Sequence, residues 1–144
     1  MKPRFKTARC ILYRGDEYLL AVHNRYWPRA ERRWGLPGGQ VEWGESARDA
    51  VARELEEELN LYVPHLIEVG AYTYKRAEHM VFAAEVEQDI DAFDTAELLD
   101  IGWFSEQDVA RLHARAALHA DYELDAIRRL RGRLERTSPI AAAG

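Results

Sequence analysis

The sequence predicts an α/β sandwich built on a mixed sheet, from three observations. Segments patterned as strands come first, a long helix without Gly or Pro follows, then more strands, and helices close the chain. That order departs from the regular alternation of a wholly parallel sheet. The 144 residues fit one domain with enough chain to bury a core. Hydrophobic residues make up 47% and charged residues 31%, too apolar a balance for a disordered chain.

Phe5 to Tyr13 is rich in β-branched and aromatic residues and reads as a strand, which Gly15-Asp16 turns into a second, Tyr18 to His23. Asn24 to Arg33 is a polar loop with Pro28, and Trp34 to Gly39, with three glycines and Pro37, reads as loop or turn. Glu45 to Leu59 is full of strong helix formers and predicts the clearest helix of the chain. Tyr62 to Tyr74 and Met80 to Val86 predict strands joined by a turn at Arg76 to His79. After an acidic loop, a short strand is expected at Leu99 to Phe104, with Ser105 starting a helix and Asp108 placed as in a capping box. Asp121 is expected to cap a last helix running to about Arg133, with Leu124, Ile127, Leu130 and Leu134 on its apolar stripe. Residues 1–136 are expected to form one domain and residues 137–144, small and unpatterned, a flexible tail.

The single cysteine, Cys10, excludes an intrachain disulfide and a cysteine-built zinc site, and reads as a small apolar residue within a strand. The basic N-terminal residues are not followed by an uninterrupted apolar stretch, and no segment has the length of a membrane span, so the expected location is the cytoplasm. A net charge of −5 argues against a nucleic-acid partner. The charge is also divided. Residues 1–38 hold nine Lys/Arg against three Asp/Glu, whereas Ala77 to Ala110 has ten carboxylates and no Lys or Arg. Solvated faces account for most such charges, but a site for a metal–phosphate complex also needs acidic and basic regions together.

The chemistry concentrates between Gly39 and Leu61. At 100° per residue, Glu54, Glu57 and Glu58 project within roughly a 100° arc of the helix. Like charges at these spacings cost ~0.2–0.5 kcal/mol per pair. Val51 and Leu55 lie beside the arc, so the carboxylates border the face to be buried and resist desolvation unless a cation sits among them. Hard oxygen ligands of this kind suit magnesium or manganese. Arg53, one turn from Glu57, can orient a carboxylate without binding metal. A solvated acidic helix face is the competing account. The lead-in Trp34-Gly-Leu-Pro-Gly-Gly39 weighs against it, because glycines let backbone groups approach a metal or phosphate closely.

This stretch resembles the Nudix box, G-x5-E-x7-R-E-U-x-E-E-x-G-U with U a bulky apolar residue. Gly39, Glu45, Arg53, Glu54, Leu55, Glu57, Glu58 and Leu61 fall on its positions, and Asn60 replaces its last glycine. Asparagine tolerates a left-handed helix terminus, so the turn is expected to survive. The resemblance implies a Nudix-like α/β/α sandwich, here with additional C-terminal helices. It also implies hydrolysis of a nucleoside diphosphate linked to another moiety, with Mg2+ (or Mn2+) as cofactor. Glu57 and Glu58 would be the principal metal ligands. Glu54 would be a further ligand or the base, and the Gly38 carbonyl a ligand. Gly39, Glu45 and Arg53 would shape the loop–helix–loop. In similar enzymes a glutamate ahead of a tryptophan-anchored strand completes the metal shell or activates water, which singles out Glu97 before Trp103-Phe104. The general base stays open between Glu54 and a residue outside the box.

Four arginines between the second strand and the box, Arg25, Arg29, Arg32 and Arg33, are candidates for substrate phosphate, with solvated loop charges as the alternative. The histidines share no ligand spacing and read as structural or surface residues. Trp27, Trp34, Tyr72 and Tyr74 could stack on a base or simply pack. The arginines of the last helix, Arg128 to Arg136, read as a solvated face, with a homodimer contact the next reading. The proline that marks ADP-ribose-type relatives is replaced by Arg76, and the tyrosine of diadenosine-polyphosphate enzymes by Glu78 or His79. By elimination, a nucleoside triphosphate or modified nucleotide leads as substrate. A Nudix-fold domain that binds a nucleotide as a sensor without cutting it is the alternative.

Overall fold

The computed structural model of the chain describes residues 2–137. Seven strands and three α-helices follow one another as β1 (Thr7–Arg14), β2 (Glu17–His23), β3 (Trp34–Gly35), β4 (Gly38–Gln40), α1 (Ala47–Leu59), β5 (Ile67–Tyr74), β6 (Ala77–Glu85), β7 (Leu98–Ser105), α2 (Glu106–Ala114) and α3 (Glu123–Thr137). The sheet is mixed, as expected. β1 pairs in parallel with β6 along its whole length, from Thr7↔His79 to Tyr13↔Glu85, and every other pairing is antiparallel.

Side chains alternate across β1 with the period of two that a strand imposes. Ala8, Cys10 and Leu12 join Leu19, Ala21, Val51, Leu55 and Phe82 in a core under α1. Ile11 and Tyr13 join Leu20, Val81, Ile127 and Leu130 in a second core under α2 and α3. The result is helix, sheet, helix. Cys10 is fully buried in β1, the small apolar role expected of it.

The sheet opens in its middle. β1 and β2 share hydrogen bonds only beside their turn, at Tyr13↔Tyr18 and Arg14↔Glu17, and then diverge. The segment between them fills the gap: β3 pairs with the far end of β2 and β4 with the start of β1. The glycine-rich lead-in, expected as loop, therefore contains two short strands. Glycine is required for it, because a Cβ on Gly38 would lie 2.2 Å from the Ala8 carbonyl oxygen.

Other boundaries differ from expectation for local reasons. α1 begins at Ala47, not Glu45, because Ser46 Oγ accepts the Asp49 N–H at 3.0 Å and caps it. β5 begins at Ile67, not Tyr62. The β5–β6 turn is Lys75-Arg76, with φ of 50° and 64°, the left-handed pair a two-residue hairpin loop needs. Neither residue carries the Gly or Asn that signals such a turn. Ser105 caps α2 through the Asp108 N–H. α3 starts at Glu123 rather than just after Asp121 and extends to Thr137, past the expected domain end at 136. The expected tail beyond Thr137 lies outside the described residues.

Candidate active site

α1 carries the acidic residues into the mouth of the opened sheet. Its C-terminus closes on Asn60 (φ 51°, ψ 41°), whose N–H reaches the Glu56 carbonyl, so asparagine takes the left-handed position expected of it. The buried face holds Ala50, Val51, Leu55, Glu58 and Leu59. Glu58 is thus the buried carboxylate of the set, 2% exposed, whereas Glu57 faces solvent.

Arg53 ties the lead-in to the helix. It donates to both Glu45 oxygens (2.8 and 3.0 Å), to Glu54 Oε1 at 3.1 Å, to Glu57 Oε2 at 3.3 Å and to the Gln40 carbonyl at 3.1 Å. Its guanidinium holds Glu45 below the usual carboxylate range. Glu54 packs on Gly39 so closely that a Cβ there would meet its carboxylate at 2.6–2.9 Å. Burial raises the pKa of Glu54, with Arg53 opposing. Gly39, Glu45 and Arg53 therefore stand where a shaping role needs them.

Glu58 Oε1 accepts the Gly38 N–H at 2.9 Å. Burial nevertheless pushes its pKa to about 8, with the Gly38 N–H and Arg9 opposing. His23 Nδ1 lies 3.5 Å from Glu58 Oε2. Burial, then Arg9, holds His23 well below its ordinary pKa. The pair is a contact between two groups driven toward neutrality, not an ion pair. Arg9 itself is 3% exposed and donates to the Gly38 carbonyl at 3.0 Å. The buried cation fixes the backbone unit expected to bind metal and uses one of that carbonyl's two lone pairs.

Glu54, Glu57, Glu58, Gly38 and Glu97 line one cleft, joined by His23, Arg25, Tyr26, Gln40 and Glu42. Glu97 enters from the segment before β7. The Asn24 N–H donates to its carbonyl at 2.9 Å, and Arg25 stands 3.6 Å from its carboxylate. Among the described residues no three carboxylate, histidine or cysteine side chains are gathered into a finished metal cage. Arg53 instead holds Glu54 and Glu57 apart from the buried Glu58. The donor set still fits a hard divalent cation. It consists of oxygens, and Glu58 has no Lys or Arg partner among the described residues, so a cation would offset the cost of ionising it.

Of the four loop arginines, Arg25 alone lines the cleft. Arg29 binds the Asn24 side-chain oxygen, Arg32 pairs with Asp100, and Arg33 pairs with Glu31 while lying 3.7 Å over the Trp27 ring. Their charges are used within the loop and β7, which corrects the expectation that they face the substrate together. Sequence reasoning missed Arg9, His23 and Tyr26. The first two are remote from the box and meet it only because β1 and β2 diverge beside it. Trp34 packs on Phe104 and Tyr72 stacks on Tyr122, so both serve the core.

A NUDIX domain profile matches residues 3–125. The chain is 35% identical over 107 residues to a protein of Yersinia enterocolitica named NAD-capped RNA hydrolase NudC, covering 69% of this chain and 39% of the relative. It is 37% identical over 79 residues to the Nudix hydrolase YvcI of Bacillus subtilis, covering 53% and 46% of the two chains. This chain thus spans less than half the length of these relatives. The MutT Nudix hydrolase of Burkholderia pseudomallei superposes with a TM-score of 0.63 at 27% identity, covering 75% and 87% of the two chains. The Nudix domain of Shewanella oneidensis NrtR, solved with ADP-ribose, gives 0.72 at 21% identity, covering 93% and 90%, a likeness of fold. With the profile spanning most of its length and the box set at the mouth of the opened sheet, the chain belongs to the Nudix hydrolase family.

Proposed function

We propose that the protein hydrolyses a pyrophosphate bond in a nucleotide derivative, with a nucleoside triphosphate or modified nucleotide as the leading substrate class. The observation that supports this most is one cleft lined by Glu54, Glu57 and Glu58 from α1 and by Glu97 from outside the box. These carboxylates and the Gly38 carbonyl would hold Mg2+, with Mn2+ as substitute. A bound divalent cation supplies neutralisation of phosphate charge and a water of lowered pKa.

The chain's own groups do the rest. Arg53 orients Glu54 and Glu57, and Arg9 with the Gly38 N–H fixes the floor around Glu58. Arg25, at the rim, is placed to meet a phosphate oxygen. Glu54, whose proton affinity burial raises, and Glu97 are the two groups placed to take a proton from attacking water. A second reading follows from the relatives named NAD-capped RNA hydrolases, in which the scissile bond lies in a dinucleotide at an RNA end. The expectation of no nucleic-acid partner does not stand against it.

The test is a product assay on nucleoside triphosphates, nucleotide sugars, dinucleotide polyphosphates, ADP-ribose, NAD and NAD-capped RNA, with magnesium and with chelator. Glu57→Gln and Glu58→Gln should each lower kcat by at least ~100-fold. Full turnover in excess chelator would overturn the metal assignment. Nucleotide binding without any product would leave a sensor domain instead.

A further inference from the structure

Beside the acidic cleft, and sharing Tyr26 with it, lies a second pocket of about 200 Å3 with no carboxylate in its lining. Tyr26, Trp27 and His119 wall it, Arg9 underlies it, and Lys6 and Lys75 border it. We propose that this pocket binds the heteroaromatic base of the nucleotide whose phosphates lie in the acidic cleft. The inference rests on the nucleotide reading above and adds where the base sits and which residues select it.

Four observations support it. The Tyr26 backbone is left-handed, with φ of 76°, a conformation that costs a bulky residue energy and is characteristic of ligand clamps. The strain holds the ring at the partition between the two pockets, 47% exposed, with the Arg9 guanidinium 5.8 Å from its centroid. The aromatic walls are fixed as well. Trp27 Nε1 donates to the His119 carbonyl at 3.2 Å, Arg33 lies over the Trp27 ring, and Tyr26 and Trp27 both meet the His119 ring edge-on, at 5.0 and 6.5 Å.

Third, His119 Nδ1 is buried without a hydrogen-bond partner. Burial and Arg9 hold this imidazole neutral, with a pKa of about 3, so it offers a directional donor or acceptor and no charge. The edge of a base supplies the complementary group. Fourth, the ammonium of the exposed Lys75 lies 4.7 Å from the Trp27 ring and 5.5 Å from the Tyr74 ring. A cation over aromatic faces is a flexible cover that an entering ring can displace. The cationic surround and absence of carboxylates also suit a ligand that arrives attached to phosphate.

The test reads binding without turnover. In excess chelator, Trp27 fluorescence is titrated with AMP, GMP, CMP, UMP and nicotinamide mononucleotide, and with ribose 5-phosphate as the probe lacking a base. At least one base-bearing probe should quench fluorescence at a Kd tenfold or more below that of ribose 5-phosphate, and Trp27→Phe should remove the quench. Tyr26→Gly should raise that Kd at least tenfold. Glycine accepts the left-handed backbone, so this variant removes the ring without adding strain, and an unchanged circular dichroism spectrum verifies folding. Ribose 5-phosphate binding as tightly as every nucleotide, no quench by any probe, or a parental Kd in Tyr26→Gly would each overturn the assignment. Hydrolysis is read separately with magnesium, so the base pocket and the hydrolytic reading can fail independently.

Discussion

Glu123→Gln should make the fold more stable at pH 8 and not at pH 5. Glu123 opens α3 at 1% exposure, with Oε2 accepting the Ala120 N–H at 2.7 Å and Oε1 without a partner. Burial raises its pKa from the ordinary 4.5 to about 7, against opposing backbone hydrogen bonds. The unfolded chain therefore releases this proton near pH 4.5, while the folded chain keeps it until about pH 7. Stability is full below the first value, falls as pH rises between the two, and is level above. At about 1.4 kcal/mol per pH unit, the loss is capped at ~3 kcal/mol. Glutamine has no proton to lose, and its carbonyl can still accept the Ala120 N–H. Its NH2 replaces an oxygen that already lacks a partner, at a cost of about 1 kcal/mol. The variant should thus be ~1 kcal/mol less stable than the parent at pH 5 and ~2 kcal/mol more stable at pH 8, with Tm raised by about 4–8 °C at the higher pH. Urea and thermal unfolding at both pH values measure it. An equal difference at pH 5 and pH 8 would refute the buried proton.

Glu97→Gln should lower kcat by ~100-fold or more and alter the magnesium dependence, while Asp94→Asn and Asp100→Asn stay close to the parent; parental kinetics in Glu97→Gln would make Glu97 a surface charge. Asn60→Gly should keep activity and change stability by no more than ~1 kcal/mol in urea unfolding, since both residues accept the left-handed cap. Arg25→Ala should raise KM about tenfold, the scale of one charge-assisted hydrogen bond, whereas Arg29→Ala, Arg32→Ala and Arg33→Ala should leave KM near its parental value; the reverse pattern would move the phosphate contact out of the cleft.

The box was legible because its physics is local. Helix period places Glu54, Glu57 and Glu58 together, and the residues that cap and brace α1 lie within a few turns of it in sequence. The two-layer burial of β1 was legible for the same reason, through its alternation. What stayed hidden depends on partners distant in sequence. Gly and Pro in Trp34–Gly39 argue for a loop, yet the segment pairs as β3 and β4 because the divergence of β1 and β2 leaves free edges for it. Arg9 looks like one more basic N-terminal residue until the sheet buries it against Gly38. The Lys75-Arg76 turn carries no residue that announces positive φ.

The parallel ladder between β1 and β6 has a consequence for how the chain folds. It joins residues 72 apart in sequence, at Thr7↔His79, whereas α1 and its caps form from neighbours. The entropy of closing so long a loop must be overcome before its contacts return anything, so this pairing is slow relative to helix formation. A nascent chain that has emerged only as far as Asn60 holds the whole Nudix motif except Leu61, yet β1 still lacks its partner on one side. Arg9, which braces the Gly38 carbonyl from β1, is then not yet held in a completed sheet. Catalytic competence is therefore acquired late, with the second half of the domain, and the Nudix motif cut out as a peptide is a helix without an active site.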